Sequence, residues 1–363
     1  MTTVPSPPPV VPESVLVDLR ARLRRFHAVP TAPAAPWRRG VDADSLRELV
    51  AYWASDYDWT VHEQRIRQLP WVTAGRRRDV RAIHQVASDP DATPVVLLHG
   101  WPDSVLRFER VLPLLRDLNV IVPALPGFPF ALPVPEGGLP AEGIADAVAD
   151  AVADLGYDRY VVSAGDVGCD VAEALAAQHP ERVSALHLTD VSQYHFLAGL
   201  PTDLSAAEEE YVRYGREWQA AEGGYMHEQS TKPVTIAAAL GDSPAGLTAW
   251  ILEKLWSWTD GRESAFTRDE LLTWITAYWV TDSIGTSFTP YAEAGAKRGS
   301  RIEIPTAFTV FPRDLVNAPR EFADRFFDVR DWREFSAGGH FAAWERPAEY
   351  VSGVRSAVQL AAG

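Results

Sequence analysis

The chain has 363 residues, 47% of them apolar and 23% charged, the balance of a globular enzyme with room for a full core and an inserted subdomain. A net charge of −15 argues against nucleic acid or an anionic membrane as partner. Cys169 is the single cysteine, so no internal disulfide can form and a cytosolic setting is expected. The basic residues are almost all Arg, and with abundant Ala and Pro this points to a GC-rich, bacterial source.

Residues 1–12, rich in Pro, Val and Ser, have neither a basic n-region nor an apolar h-region and read as a flexible arm rather than a signal peptide. No window is apolar for long enough to span a bilayer, so no membrane anchor is expected. Residues 15–26 and 44–53 carry helical apolar spacing, with Asp44 as N-cap of the second stretch and a Pro-rich connector at 30–36 between them. This N-terminal region, 1–78, is too short to stand alone and is expected to wrap against a core.

From Asp79 the pattern turns to alternating strand and helix. Strands are expected at 81–87, 93–98, 119–123, 160–162 and 185–189, with helices at 108–115, 141–155 and 169–178. Such alternation predicts an α/β fold, a mostly parallel sheet with helices on both faces, whose first part covers 79–190. Residues 191–301 break the pattern: long helical stretches carry Trp250, Trp256, Trp258, Trp274 and Trp279 without buried strands, as a helical cap would. Alternation resumes over 302–363, with strands at 306–310 and 329–335, a helix from about 320 and a final helix after Pro347.

Ser163-Ala164-Gly165-Asp166-Val167-Gly168 follows a β-branched strand and opens a helix. A small-x-nucleophile-x-small turn at that junction is the nucleophile elbow of the α/β-hydrolase fold. Its centre here is Asp166 where esterases carry Ser, and that changes the chemistry. A carboxylate attacking an sp3 carbon forms an ester that water can cleave, whereas serine would form an inert ether.

The nucleophile–acid–histidine order of this fold makes His340, in a Gly-Gly-His-Phe loop before the last helix, the expected base. The orienting acid is Asp314, after the 306–310 strand, or alternatively Asp190, after the strand that follows the elbow helix. His99-Gly100-Trp101-Pro102 closes the 93–98 strand, so the N–H groups of Trp101 and Val167 are the candidate oxyanion donors, with His99 shaping the turn. His187 reads as a satisfied core residue and Cys169 as packing. No residues have metal-ligand spacing, there is no phosphate loop, and no cofactor is expected.

The motifs HGWPDS (99–104) and GGHFAAWERP (338–347), with Asp166 at the elbow, together resemble the epoxide hydrolases related to the microsomal type. The resemblance spans nearly the whole chain, with Trp53 and Tyr57-Asp58-Trp59 similar to that family's N-terminal segment. It implies opening of a small-molecule epoxide to a diol through an ester on Asp166. It also implies two cap tyrosines that donate to the epoxide oxygen, falling on Tyr225 and Tyr291. Two departures from the family pattern stand out: Val167 replaces the usual Trp after the nucleophile, and Asp314 replaces the common Glu. A haloalkane or haloacetate dehalogenase shares the elbow Asp and the histidine, and a ligand-binding protein on the same fold is the non-enzymatic alternative. The Trp-rich cap suggests a bulky or aromatic epoxide, and a detoxification or secondary-metabolism role; monomer and homo-oligomer are both open.

Overall fold

A computed structural model describes residues 5–135, 137–294 and 301–363. Eight strands form one sheet in the order β1-β2-β4-β3-β5-β6-β7-β8: β1 Trp71–Ala74, β2 Val80–Gln85, β3 Pro94–Leu98, β4 Asn119–Pro123, β5 Tyr160–Ala164, β6 Val183–Leu188, β7 Ile302–Val310 and β8 Phe327–Glu334. β1 pairs with β2 and β2 with β4 antiparallel; the other neighbours are parallel. The central strands are near-continuous runs of Val, Leu and Ile buried on both faces, as a sheet sandwiched between helices requires.

Three helices precede the sheet: α1 Glu13–Arg24, α2 Ala43–Ser55 and α3 Trp59–Arg67. α1 buries Leu16, Leu19 and Leu23 along one stripe. The N-cap of α2 is Asp42, whose carboxylate accepts from the Ser45 N–H at 3.0 Å; Asp44, expected in that role, lies one residue inside the helix. The arm is anchored rather than loose from Pro5 onward, and residues 1–4 lie outside the described residues. Ser6 N–H donates to the Trp71 carbonyl, Arg67 holds the Pro8 carbonyl and Val11 N–H bonds the Glu63 carboxylate. β1 itself was not expected from the sequence. Four residues with one antiparallel neighbour carry too short an alternation to stand out.

Between strands run α4 Ala141–Asp154 and α5 Val167–Gln178. The helix expected at 108–115 is instead two short 3-10 turns, Val105–Phe108 and Leu112–Leu114; Pro113 lacks the N–H that a continuous helix would need there. From β6 to β7 the regular elements among the described residues are all helical: α6 Tyr194–Leu197, α7 Ala206–Glu222, α8 Gly224–Thr231, α9 Pro233–Asp242, α10 Pro244–Ser257, α11 Arg268–Val280 and α12 Thr289–Ala292. Capping boxes start α7 (Ser205 with Glu208) and α11 (Thr267 with Glu270), and a proline opens α9 and α10. α13 Arg320–Asp324, α14 Ala342–Glu345 and α15 Pro347–Ala362 complete the chain.

The N-terminal segment also grips these inserted helices. Tyr52 donates to Asp269, Tyr57 meets Thr273, Arg22 reaches Asp242, and Trp37 stacks on Trp256 with centroids 4.3 Å apart. No helix among the described residues is long and apolar enough to cross a membrane.

Candidate active site

β4 lies on one side of β3 and β5 on the other, so the chain switches direction across the sheet between β3 and β5, and the loops leaving their carboxyl ends part to form a crevice. Register then aligns the chemistry. Leu98 pairs with Ala164 and Ala164 with Leu188, so residues 100, 166 and 190 each sit two positions past the same level. With neighbouring strands about 4.8 Å apart, the 99–102 loop, Asp166 and Asp190 become close neighbours.

Asp166 occupies the elbow at φ 57°, ψ −135°, a conformation costly for a side chain other than glycine's. It is held from both ends: its N–H donates to Asp190 Oδ1 at 3.0 Å, and its carbonyl accepts from Cys169 N–H at 2.8 Å. Its side chain does not cap α5 although it stands at the N-cap, which leaves the carboxylate for other work at the positive end of the helix dipole. Gly168 lets α5 cross the end of β3, because a Cβ there would lie 2.6 Å from the Leu98 carbonyl oxygen. Gly168→Ala is expected to destabilise the fold by about 1–3 kcal/mol, read as a lower urea midpoint.

The Trp101 N–H donates to Asp166 Oδ1 at 2.7 Å. Val167 is the first residue of α5, so its N–H has no partner within the helix, and it lines the same cleft. His99 is buried, with Nε2 accepting from the Leu125 N–H at 3.2 Å, and the Trp101–Pro102 bond is cis. His187 is satisfied in the core by Ser163 and Thr309.

His340 stands in the loop between β8 and α14, where Gly338 at φ 117° provides a turn that a Cβ would strain. Its N–H donates to the Trp258 carbonyl at 2.8 Å. Its Nδ1 meets Asp314 Oδ1 at 2.7 Å, and Nε2 lies 3.3 Å from Asp166 Oδ2, an ion-pair contact not aligned as a hydrogen bond. The three side chains are nearly closed to solvent: 2% exposed for His340, 3% for Asp314 and 9% for Asp166. Burial opposes charge on the imidazole, yet Asp314 and Asp166 outweigh it and raise His340 to about 10. Burial alone would raise Asp314, but the imidazolium and its hydrogen bond hold that carboxyl below its usual range.

Both candidate acids are therefore near the site, in different situations. Asp314 bonds the imidazole. Asp190 accepts from the Asp166 N–H, from Cys169 Sγ at 3.1 Å and from Thr189 Oγ1. Burial first, then the Asp314 charge, push Asp190 well above the usual carboxylate range.

Tyr225, from α8, and Tyr291, from α12, line the cleft with Asp166 and His340, their ring centroids 6.2 Å apart. Burial followed by the Asp166 charge raises both phenols well above their ordinary value, so they are protonated donors. The cleft, partly open to solvent, is walled by Val167, Val191, Met226, Leu315 and Val316, with Asp170 and Ser192 also on its lining. Of the tryptophans between β6 and β7, three pack away from the cleft. Trp250 donates to Gln229, Trp256 stacks on Trp37, and Trp274 packs on Phe341 and Trp344.

A supporting layer was not anticipated from sequence. Arg107 and Asp103 form a fully buried ion pair behind the elbow. Asp103 accepts the Gly100 N–H at 2.8 Å, and Arg107 donates to the His340 carbonyl at 2.6 Å, so one pair ties the 99–102 loop to the histidine loop. Opposite charges four residues apart directly after the HGWP motif were the available signal. Trp258 stands 5.2 Å from the His340 ring and 5.1 Å from Tyr225.

The sheet order and the strand–Asp166–helix elbow define an α/β-hydrolase, and the family profile described as alpha/beta hydrolase fold matches residues 93–246. A second profile, epoxide hydrolase N terminus, matches residues 8–108. The chain belongs to the epoxide hydrolase family. It is 36% identical to a Stigmatella aurantiaca protein provisionally named an epoxide hydrolase, over 95% of this chain and 82% of that one. It is 28% identical to epoxide hydrolase 1 of the pig, Sus scrofa, over 94% and 86% of the two chains. The solved structure of Aspergillus niger epoxide hydrolase superposes with a TM-score of 0.87 at 28% identity, covering 99% of this chain and 97% of its own.

Proposed function

We propose that this chain converts an epoxide to a vicinal diol in two steps, Asp166 being the nucleophile and His340, oriented by Asp314, the base. In the first step Asp166 Oδ2 attacks an epoxide carbon. The C–O bond breaks toward oxygen, and Tyr225 and Tyr291 donate to the alkoxide as its charge develops. Esterification removes the Asp166 charge, one of the two that hold the His340 proton, so that proton passes through solvent to restore the phenol. Neutral His340 then takes a proton from water as its oxygen attacks the Asp166 carboxyl carbon. The oxyanion forms against the Trp101 and Val167 N–H groups. Collapse returns the Asp166 carboxylate and the imidazolium and frees the diol. The chain supplies nucleophile, base and acid itself, so no cofactor is called for.

The observation that carries this reading is the convergence on one cleft of a carboxylate, an imidazole–carboxylate pair and two protonated phenols. Asp314 is preferred to Asp190 as orienting acid because it bonds His340 Nδ1, while Asp190 bonds the elbow backbone. Phenols suit an oxygen leaving group, and the Val167 side chain has no donor for a departing halide. The apolar wall from Val167 to Val316 supports an apolar substituent on the epoxide; the cap tryptophans do not bear on its size. We treat 191–301 as the cap, 79–190 and 302–363 as the two parts of the core, and 1–78 as the segment bridging core and cap.

The test is a panel of aliphatic, aromatic and polycyclic epoxides assayed for diol, with Asp166→Ala as blank and simple haloalkanes assayed for halide. Diol without halide supports the reading; halide with no diol reverses it. The Tyr225→Phe/Tyr291→Phe double variant is expected to slow ester formation by about 10²–10⁴-fold, followed as single-turnover tryptophan fluorescence.

A further inference from the structure

Lys254 is one of three lysines in the chain, and it is buried. It comes from α10, next to Glu253, with which it forms an ion pair. Its ammonium lies over the Tyr225 ring, 4.9 Å from the centroid, and 5.8 Å from that of Trp258. Tyr225 in turn stacks on Trp101 with centroids 5.3 Å apart and planes within 7°. Taking an ammonium out of water is costly, and a long flexible side chain ordinarily sends its charge to the surface. Here the charge is kept at the face of the phenol proposed to meet the leaving oxygen.

We propose that Lys254 is a positioning residue for ring opening, its ammonium held over Tyr225 so that the phenol donates more strongly to the oxygen leaving the epoxide. A cation over an aromatic face attracts the ring electrons, and the attraction grows as the phenol releases its proton and the ring becomes richer in charge. The interaction is thus stronger in the transition state than in the resting enzyme, which is what accelerates a step. It opposes the neighbours that disfavour charge on Tyr225: burial, the Asp166 carboxylate, Tyr194 and Glu253. Glu253, beside it in the chain, pairs with the ammonium. Hydrolysis of the ester uses His340 and water, so Lys254 acts on the first step and leaves the second alone. This inference rests on Tyr225 being the donor named above.

The experiment separates the two steps by single-turnover fluorescence and burst kinetics in Lys254→Met, Lys254→Arg and the Glu253→Gln/Lys254→Met pair, which leaves no unpaired carboxylate. Far-ultraviolet circular dichroism and thermal unfolding report the fold. Ester formation is expected to slow about five- to tenfold in both Met variants, with ester hydrolysis within twofold of wild type and Lys254→Arg restoring the first step. In a Tyr225→Phe background, the same Lys254 changes are expected to have no further effect. Equal slowing of both steps, an undiminished effect in the Tyr225→Phe background, or loss of ester formation in a folded Lys254→Arg would each overturn the proposal. If Tyr225→Phe itself leaves ester formation unchanged, it is the donor assignment that fails.

Discussion

Asp166→Asn is expected to lower kcat by at least about 10⁴-fold while leaving the unfolding midpoint near that of wild type. An amide is isosteric with the carboxylate but cannot open an epoxide, and removing the nucleophile from a catalytic group that acts as a unit removes most of the rate. The fold should tolerate it because the elbow is held through backbone groups, the Asp166 N–H on Asp190 and the carbonyl on Cys169, which the substitution keeps. The same residue carries an isotopic signature. With enzyme in excess and 18O-water as solvent, the diol of the first turnover should contain no label, since its new oxygen is Asp166 Oδ2 and the solvent oxygen remains on the enzyme. Label in that first product would rule out the covalent route and leave direct attack by water. A slow return of activity in the Asn variant, with the mass of wild type, would be deamidation of the introduced amide.

His340→Gln is expected to stop the cycle between the two steps. Ester formation needs the carboxylate and the phenols; ester hydrolysis needs the base. Loss of a general base slows that step by about 10²–10⁴-fold, so intact-protein mass spectrometry should find one substrate mass added per chain. Absence of an adduct in a folded variant, with slow steady turnover instead, would count against His340 as the hydrolytic base.

The imidazole also has a charge history that can be followed. In the free enzyme it is raised to about 10 from 6.5. A histidine raised on folding contributes stability that is fully present below 6.5 and is lost as pH rises through about 10. The urea midpoint should therefore fall over that interval, and the NMR titration of the His340 ring should place its midpoint near the upper end. Asp166→Asn removes one of the two charges that raise it, so the His340 midpoint should drop and the slope of stability with pH should flatten. An unchanged midpoint would mean that Asp166 does not sense the imidazole, and the handover of the proton after esterification would lose its basis.

Where function is written in short contiguous runs, the sequence was legible. The elbow, the HGWP loop and the GGHF loop each combine a chemical group with the small residues that let it occupy a tight turn, so composition and conformation point the same way. The hydrophobic runs of β3, β4 and β5 read directly as buried strands because both faces are covered. Tyr225 and Tyr291 came from resemblance, since a tyrosine on a helix carries no local mark of what it faces.

The choice between Asp314 and Asp190 shows where local reading ends. Each is an aspartate just past a strand, and nothing nearby in sequence separates them. Register separates them: Asp190 stands level with Asp166 and takes its N–H, whereas Asp314 lies farther along the chain after β7 and reaches the imidazole. Arg107 on the His340 carbonyl, Trp258 beside its ring and Lys254 over Tyr225 join segments distant in the chain, as do the N-terminal contacts with α10 and α11. By itself the sequence marked the proposed nucleophile, its turn and the strands that present it, because those depend on backbone conformation and neighbouring residues. The tertiary structure alone decided which carboxylate bonds the histidine, which tryptophans stay out of the cleft and which buried cation faces the phenol, because those depend on the packing of elements whose side chains meet only once the sheet has formed.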